Sequence, residues 1–222
     1  MRTGRIWLFD LDDTLHDASN ATMGELRVAM ADYITEHLQV TADEGQALRS
    51  RYWLRYGATL LGLVRHHAVK PSHFLHQTHQ LPGLEQRVRG HKPDLAALAR
   101  LPGRKLILTN APAAYAMRVL GVLGIARCFD AVLSIEDMHM FGDLRPKPDA
   151  RMLRRVAVRL GVPPSRCTLV EDTLEHQKAA RSIGMDTVWM QRWLPAVAPG
   201  KRRPLRPAYV DRRVRNLRSL LR

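Results

Sequence analysis

The segment "RIWLFDLDDTLHDAS" drives four apolar residues, Ile6, Trp7, Leu8 and Phe9, straight into Asp10, Asp12, Asp13 and Asp17, four aspartates within eight positions. Crowded carboxylates repel one another and raise each other's pKa, so a fold keeps them together only around something cationic. A divalent metal is the usual answer. Three further groups of chemistry-bearing residues each follow an apolar run: Thr109 and Asn110 in "ILTNAP", Lys147 in "RPKPD", and Glu171 with Asp172 in "LVEDT".

Those residues must be carried by strands. "RIWLF", "KLILT", "FDAVLSI", "CTLVE" and "DTVWM" are continuously apolar rather than alternating, as expected of strands covered on both faces in a parallel sheet. Helical stretches follow the later ones: "APAAYAMRVLGVLG", "PDARMLRRVAVRLG" and "TLEHQKAARSIG", each closed by a glycine. Strand alternating with helix predicts an α/β, doubly wound, Rossmann-like parallel sheet with right-handed crossovers. One connection is out of scale. About 100 residues separate "LFD" from "LTN", where a simple strand–helix–strand unit takes about 30. The stretch between reads as helices, "ATMGELRVAMADYITEHL", "ADEGQALRSRYWLRYGATLLGLVRHH" and "SHFLHQTHQL". We therefore expect a core domain of residues 1–16 and 92–222, with a helical cap of residues 17–91 inserted after the first strand. Ligands of such sheets bind at the carboxyl ends of the strands, where every polar group named above collects.

This constellation resembles the haloacid dehalogenase (HAD) superfamily of aspartate-nucleophile phosphohydrolases, all four of whose motifs stand here in order. "WLFDLDDTLHDAS", "YWLRYGATLLGLVRHH", "LTNAP", "IEDMHMFGDLRPKPDARML" and "LVEDTLEHQKAARSIGM" look more particularly like the bacterial pyrimidine 5′-nucleotidase branch. The resemblance implies that Asp10 attacks phosphorus and that Asp12 protonates the leaving oxygen and then deprotonates water. It implies Mg2+ as cofactor, held by the Asp10 carboxylate, the Asp12 backbone carbonyl and the Asp172 carboxylate, with Glu171 orienting metal-bound water. Thr109, with backbone N–H groups near Asn110, would bind the phosphoryl oxygens, and Lys147 would offset the charge of phosphate and nucleophile. His176 departs from the short amide or acid that many members carry in the fourth motif. A cap over the strand ends closes on the part of the substrate away from phosphate, so base selection is expected of Tyr52, Tyr56, Arg65 and His66.

Plainer readings stand beside these. Asp13 reads as a turn residue, Thr14 as a local backbone hydrogen-bonder, and Asn110 as a possible helix cap. His73, His76 and His79 in "HFLHQTH" drift around a helix with no cysteine or acid to complete a zinc set. The net charge of +14 suits an anionic partner, either a phosphorylated small molecule or a nucleic acid. The basic stretch "KRRPLRPAYVDRRVRNLRSLLR" has Tyr209 but lacks the interleaved aromatics of single-strand binders, so we expect a solvated basic surface and no specific nucleic-acid partner. No apolar run approaches the roughly 18 residues of a membrane span, no signal peptide is seen, and Cys128 and Cys167 form no redox or metal pattern. The expectation is a cytoplasmic enzyme, monomer or homodimer, hydrolysing nucleoside 5′-monophosphates. The alternatives are a phosphatase for sugar phosphates or other small esters and, less well supported, a nucleic-acid-binding protein on a vestigial hydrolase fold. Dehalogenation is disfavoured, since halide departure needs no proton from Asp12.

Overall fold

The computed structural model describes residues 4–194 and 205–221. Strand β1 (Ile6–Phe9) leads into helices α1 (Ala18–Ala21), α2 (Met23–Leu38), α3 (Ala42–Tyr56), α4 (Thr59–His67), α5 (Pro71–Thr78), α6 (Leu84–Arg87) and α7 (Lys92–Arg100). Then come β2 (Arg104–Leu108), α8 (Ala113–Leu123), β3 (Ala131–Leu133) and a small hairpin of β4 (His139–Met140) and β5 (Asp143–Leu144). Helix α9 (Ala150–Arg159), β6 (Cys167–Glu171), α10 (Leu174–Ser182), β7 (Asp186–Met190) and β8 (Arg212–Val214) complete the order. The main sheet runs β3-β2-β1-β6-β7-β8, parallel throughout.

The continuous apolar run of β1 follows from that central place. Side chains alternate across a strand, so Trp7 and Phe9 enter one cluster with Ile107, Tyr115 and Val170. Ile6 and Leu8 enter the other, with Leu106, Leu153 and Ala180. Both faces are buried, so every position must be apolar. Strand order reverses at β1, whose neighbours are β2 and β6. A crevice must open at its carboxyl end, where Asp10 begins.

Helices α2–α5 build a cluster of their own around Tyr33, Ile34, Tyr52, Leu63 and Phe74, joined from below by Ile135. Leu26, Leu81, Leu84 and Val88 pack instead with the sheet. The stretch read as one helix from Ala42 to His67 is two. Gly57 takes a left-handed φ of 75° and ends α3, its N–H donating to the Trp53 carbonyl. The turn folds α4 back on α3 so closely that a Cβ on Gly62 would lie 2.1 Å from the Tyr52 ring.

The basic C-terminal stretch also departs from expectation. Its described part is folded: β8 adds the sixth strand, and Val210, Val214, Leu217 and Leu220 are buried. Asp211 fixes the edge by accepting the Thr187 backbone N–H at 2.9 Å. Among the described residues no helix is long and apolar enough to cross a membrane.

Candidate active site

Asp10 leaves β1 while its N–H still donates to the Val170 carbonyl, so sheet pairing fixes its backbone. The chain then turns tightly. Asp13 adopts a left-handed φ of 52°, which a short polar side chain tolerates, and its carboxylate accepts from both Ser19 N and Ser19 Oγ. The turn reading of Asp13 therefore stands. Thr14 does more than bond locally: its buried hydroxyl donates to Asp10 Oδ2 at 3.4 Å.

Lys147 is the centre of the charge arrangement. It is 1% exposed, and its Nζ donates to Asp10 Oδ1 at 2.6 Å and to Glu171 Oε2 at 2.7 Å. The loop carrying it is pinned by Asn110, whose Nδ2 donates to the Lys147 carbonyl and whose Oδ1 accepts the Lys147 N–H, both at 2.9 Å. Asn110 is thus not the cap of α8; Pro112 holds that position. Thr109 is buried, and its Oγ1 accepts from Ala111 N at 3.0 Å.

From the other side β6 delivers Glu171 and Asp172. Gln177 of α10 donates to the carbonyls of Glu171 and Val188, and Trp189 Nε1 donates to the Asp172 carbonyl, so this corner cannot drift. His176 Nδ1 lies 3.0 Å from Glu171 Oε2. Burial opposes the charge on Glu171, but Lys147 and His176 outweigh it and hold the carboxyl well below its usual range. Burial also works against the Lys147 charge, yet Asp10 and Glu171 beside it keep the ammonium firmly protonated.

One lysine does not balance three acids. Asp10, Glu171 and Asp172 each offer a carboxylate oxygen within 4.8 Å of the others. Burial and the Glu171 charge push Asp10 upward; burial and the charges of Glu171 and Asp10 push Asp172 upward. A hard divalent cation among these oxygens would remove that penalty, and the donor set suits one. Asp12 stands outside that trio, and its Oδ1 is bonded to Tyr115 and His16. Burial would raise the Asp12 carboxyl, but His16 and Tyr115 outweigh it and hold it low.

A cavity of about 680 Å³ opens above these groups, lined at its floor by Asp10, Asp12, Thr109, Asn110, Lys147, Glu171 and Asp172. Its roof comes from α2 and α3, with Arg27, Arg49 and Trp53 prominent, and from Phe74 and His79. The residues expected to read a base are not there. Tyr52 is buried inside the helical cluster with its hydroxyl 2.7 Å from His67 Nε2. Tyr56 bonds His66 at 2.6 Å, and Arg65 stacks over the Tyr56 ring. The physical reason is rotation: successive helix positions turn about 100°, so the α3 face that packs on α4 cannot also face the cavity. Trp53, next to Tyr52, does. Of the three histidines in "HFLHQTH", His73 bonds Tyr33, His76 meets Gln80, and His79 lines the cavity. The sequence reading passed over His16, Tyr115, Arg27, Arg49 and Trp53; only Trp53, an aromatic on a charged helix, carried a visible signal.

The haloacid dehalogenase-like hydrolase model matches residues 5–184, and the chain belongs to that family. Phosphate metabolism protein 8 of Saccharomyces cerevisiae is 22% identical over 197 residues, 83% of this chain and 60% of that protein. Fructose-1-phosphate phosphatase YqaB of Escherichia coli is 36% identical over 80 residues, 36% of this chain and 40% of that one. The chain thus matches less than two thirds of the length of either relative. A HAD phosphatase from Thermococcus onnurineus superposes with a TM-score of 0.61 at 22% identity, covering 98% of this chain and 96% of its own.

Proposed function

We propose that the protein is a Mg2+-dependent phosphomonoesterase acting on nucleoside 5′-monophosphates, pyrimidine nucleotides foremost, through an aspartyl-phosphate on Asp10. The observation that carries this reading is the buried Lys147 bridging Asp10 and Glu171 at the floor of an open cavity. The ammonium orients the nucleophile and supplies positive charge where a phosphoryl group would sit. Thr109 and the N–H groups after it would hold phosphoryl oxygens.

In the first half, an Asp10 oxygen forms a bond to phosphorus as the ester P–O bond breaks, and Asp12 gives its proton to the departing oxygen. In the second, Asp12 takes a proton from water as that water's oxygen attacks phosphorus, releasing phosphate and restoring Asp10. Bound among Asp10, Glu171 and Asp172, Mg2+ would supply charge neutralisation for the acids and the phosphoryl oxygens.

The roof supports the nucleotide as substrate. Trp53 is 58% exposed although it lines a cavity, a flat apolar ring free to stack on a base. Among the described residues the Arg49 guanidinium donates only to the neutral Gln46 and Ser50, at 3.1 Å each, and with Arg27 offers donors to base carbonyls. A second reading, hydrolysis of sugar phosphates, is favoured by the likeness to the Escherichia coli fructose-1-phosphate phosphatase. Phosphate release should be measured from nucleoside monophosphates and sugar phosphates, with Mg2+ and with EDTA. We expect Mg2+-dependent release with kcat/KM highest for uridine or cytidine monophosphate. A sugar phosphate ranking first establishes the second reading, and no release from any ester refutes both.

A further inference from the structure

Asp12 is gripped by two side chains that the chemistry above leaves without a role. His16, four residues on, is fully buried with Nε2 2.8 Å from Asp12 Oδ1. Tyr115, 1% exposed on α8, donates its hydroxyl to the same oxygen at 2.7 Å and lies 3.5 Å from His16 Nε2. A backbone bridge between Asp12 and His16 closes the turn that brings them together. Among the described residues nothing donates to Asp12 Oδ2.

The His16 ring is oddly placed for a packing residue. Among the described residues its Nδ1 is buried without a partner, a desolvation cost that an apolar side chain would avoid. All of its hydrogen bonding is at Nε2, toward Asp12 and Tyr115. A ring that forgoes one partner to keep this one is arranged around the carboxylate.

We propose that His16 and Tyr115 are positioning residues for Asp12, an inference that rests on the phosphomonoesterase reading. Two donors on Oδ1 fix the rotation of the carboxyl group and leave Oδ2 as the oxygen that exchanges the proton with the leaving group and then with water. A fixed carboxyl rotation matters most when a full proton must be delivered along one line to the leaving oxygen. Esters of poor leaving groups need that proton; a nitrophenolate departs almost without it.

The test is kcat/KM for a nucleoside 5′-monophosphate and for p-nitrophenyl phosphate, with Mg2+, in wild type, His16→Leu, His16→Gln and Tyr115→Phe. Because the leaving group departs before water attacks, kcat/KM reports the proton-donating half-reaction for both esters. We expect His16→Leu and Tyr115→Phe to lose about 10- to 100-fold on the nucleotide and less than about threefold on the aryl ester. His16→Gln, which places an amide N–H near the position of Nε2, should recover most of the nucleotide activity. Should His16→Leu fail to fold, Tyr115→Phe, which removes a single oxygen, carries the test. Equal losses on both esters in folded variants, or no loss, overturn the inference while leaving the reaction in place. A wild type that hydrolyses neither ester overturns the phosphomonoesterase reading and the inference with it.

Discussion

Replacing Asp172 by asparagine should stabilise the metal-free protein while abolishing its use of metal. In the metal-free site, burial and then the charges of Glu171 and Asp10 push the Asp172 carboxyl up to about 10. Its unfolded value is near 4, so the folded protein holds a proton there at pH 7 that the unfolded chain does not. Three pH units at about 1.4 kcal/mol each bound the cost at roughly 4 kcal/mol, and coupling to Asp10 and Glu171 brings the expected figure to about 2–4 kcal/mol. An amide at position 172 carries no such cost and can still donate to Glu171. Thermal melts in EDTA at pH 7 should therefore rise by roughly 4–16 °C in the variant, at about 2–4 °C per kcal/mol for a chain of this size. The sign of the pH dependence follows from a folded pKa raised above the unfolded one. Wild type suffers no penalty below about pH 4 and loses stability as pH climbs toward the folded pKa, so the two melts should converge in acid and diverge toward neutrality. Adding Mg2+ at about 100 times its Kd should stabilise wild type by about 2.7 kcal/mol and leave the variant unmoved. A variant less stable than wild type in EDTA at pH 7, or a wild type indifferent to Mg2+, refutes the reasoning.

Lys147→Met removes the ammonium that bridges Asp10 and Glu171; turnover should fall by about 10²- to 10³-fold, inhibition by inorganic phosphate should weaken, and Mg2+ should bind more tightly, all readable by steady-state kinetics and calorimetry. Gly62→Val drives a side chain into the Tyr52 ring and should destabilise the protein by more than about 2 kcal/mol in a denaturant melt. Trp53→Ala should cost about tenfold in kcat/KM on nucleoside monophosphates and little on a sugar phosphate, since only the base loses a stacking face.

What was legible in the sequence is what a strand must say aloud. The apolar runs before Asp10, Thr109 and Glu171 named the sheet, and the acids and lysine after them named the rim where they meet. Strand β8 was not legible: three residues with Arg212 and Arg213 ahead of Val214 look like a charged surface until Asp211 and Thr187 tie them to β7. The roof was misread for a geometric reason. A helix shows the same periodicity on a face that packs and on a face that lines a cavity, and only the reversal at Gly57 decides that Tyr52 is inside and Trp53 out. Asn110 offered a helix-cap reading from local rules, yet it is bonded to Lys147, 37 residues away, a tertiary contact with no local signature. His16 was hidden likewise, since nothing in "TLHDAS" says that its ring folds back onto Asp12.

On the proposed mechanism Asp10 carries the phosphoryl group between the two half-reactions. This is tested most directly by acid-quenching the Asp12→Asn protein with p-nitrophenyl phosphate and Mg2+ and mapping its peptides by mass. The nitrophenolate leaves without a proton from residue 12, but water is not activated without that carboxylate, so the intermediate should accumulate. A burst approaching one nitrophenolate per enzyme is expected, with a phosphoryl group on the peptide containing Asp10, absent when Asp10→Asn is added. Nitrophenolate release with no adduct, or turnover above about a tenth of wild type in Asp10→Asn alone, would contradict that mechanism.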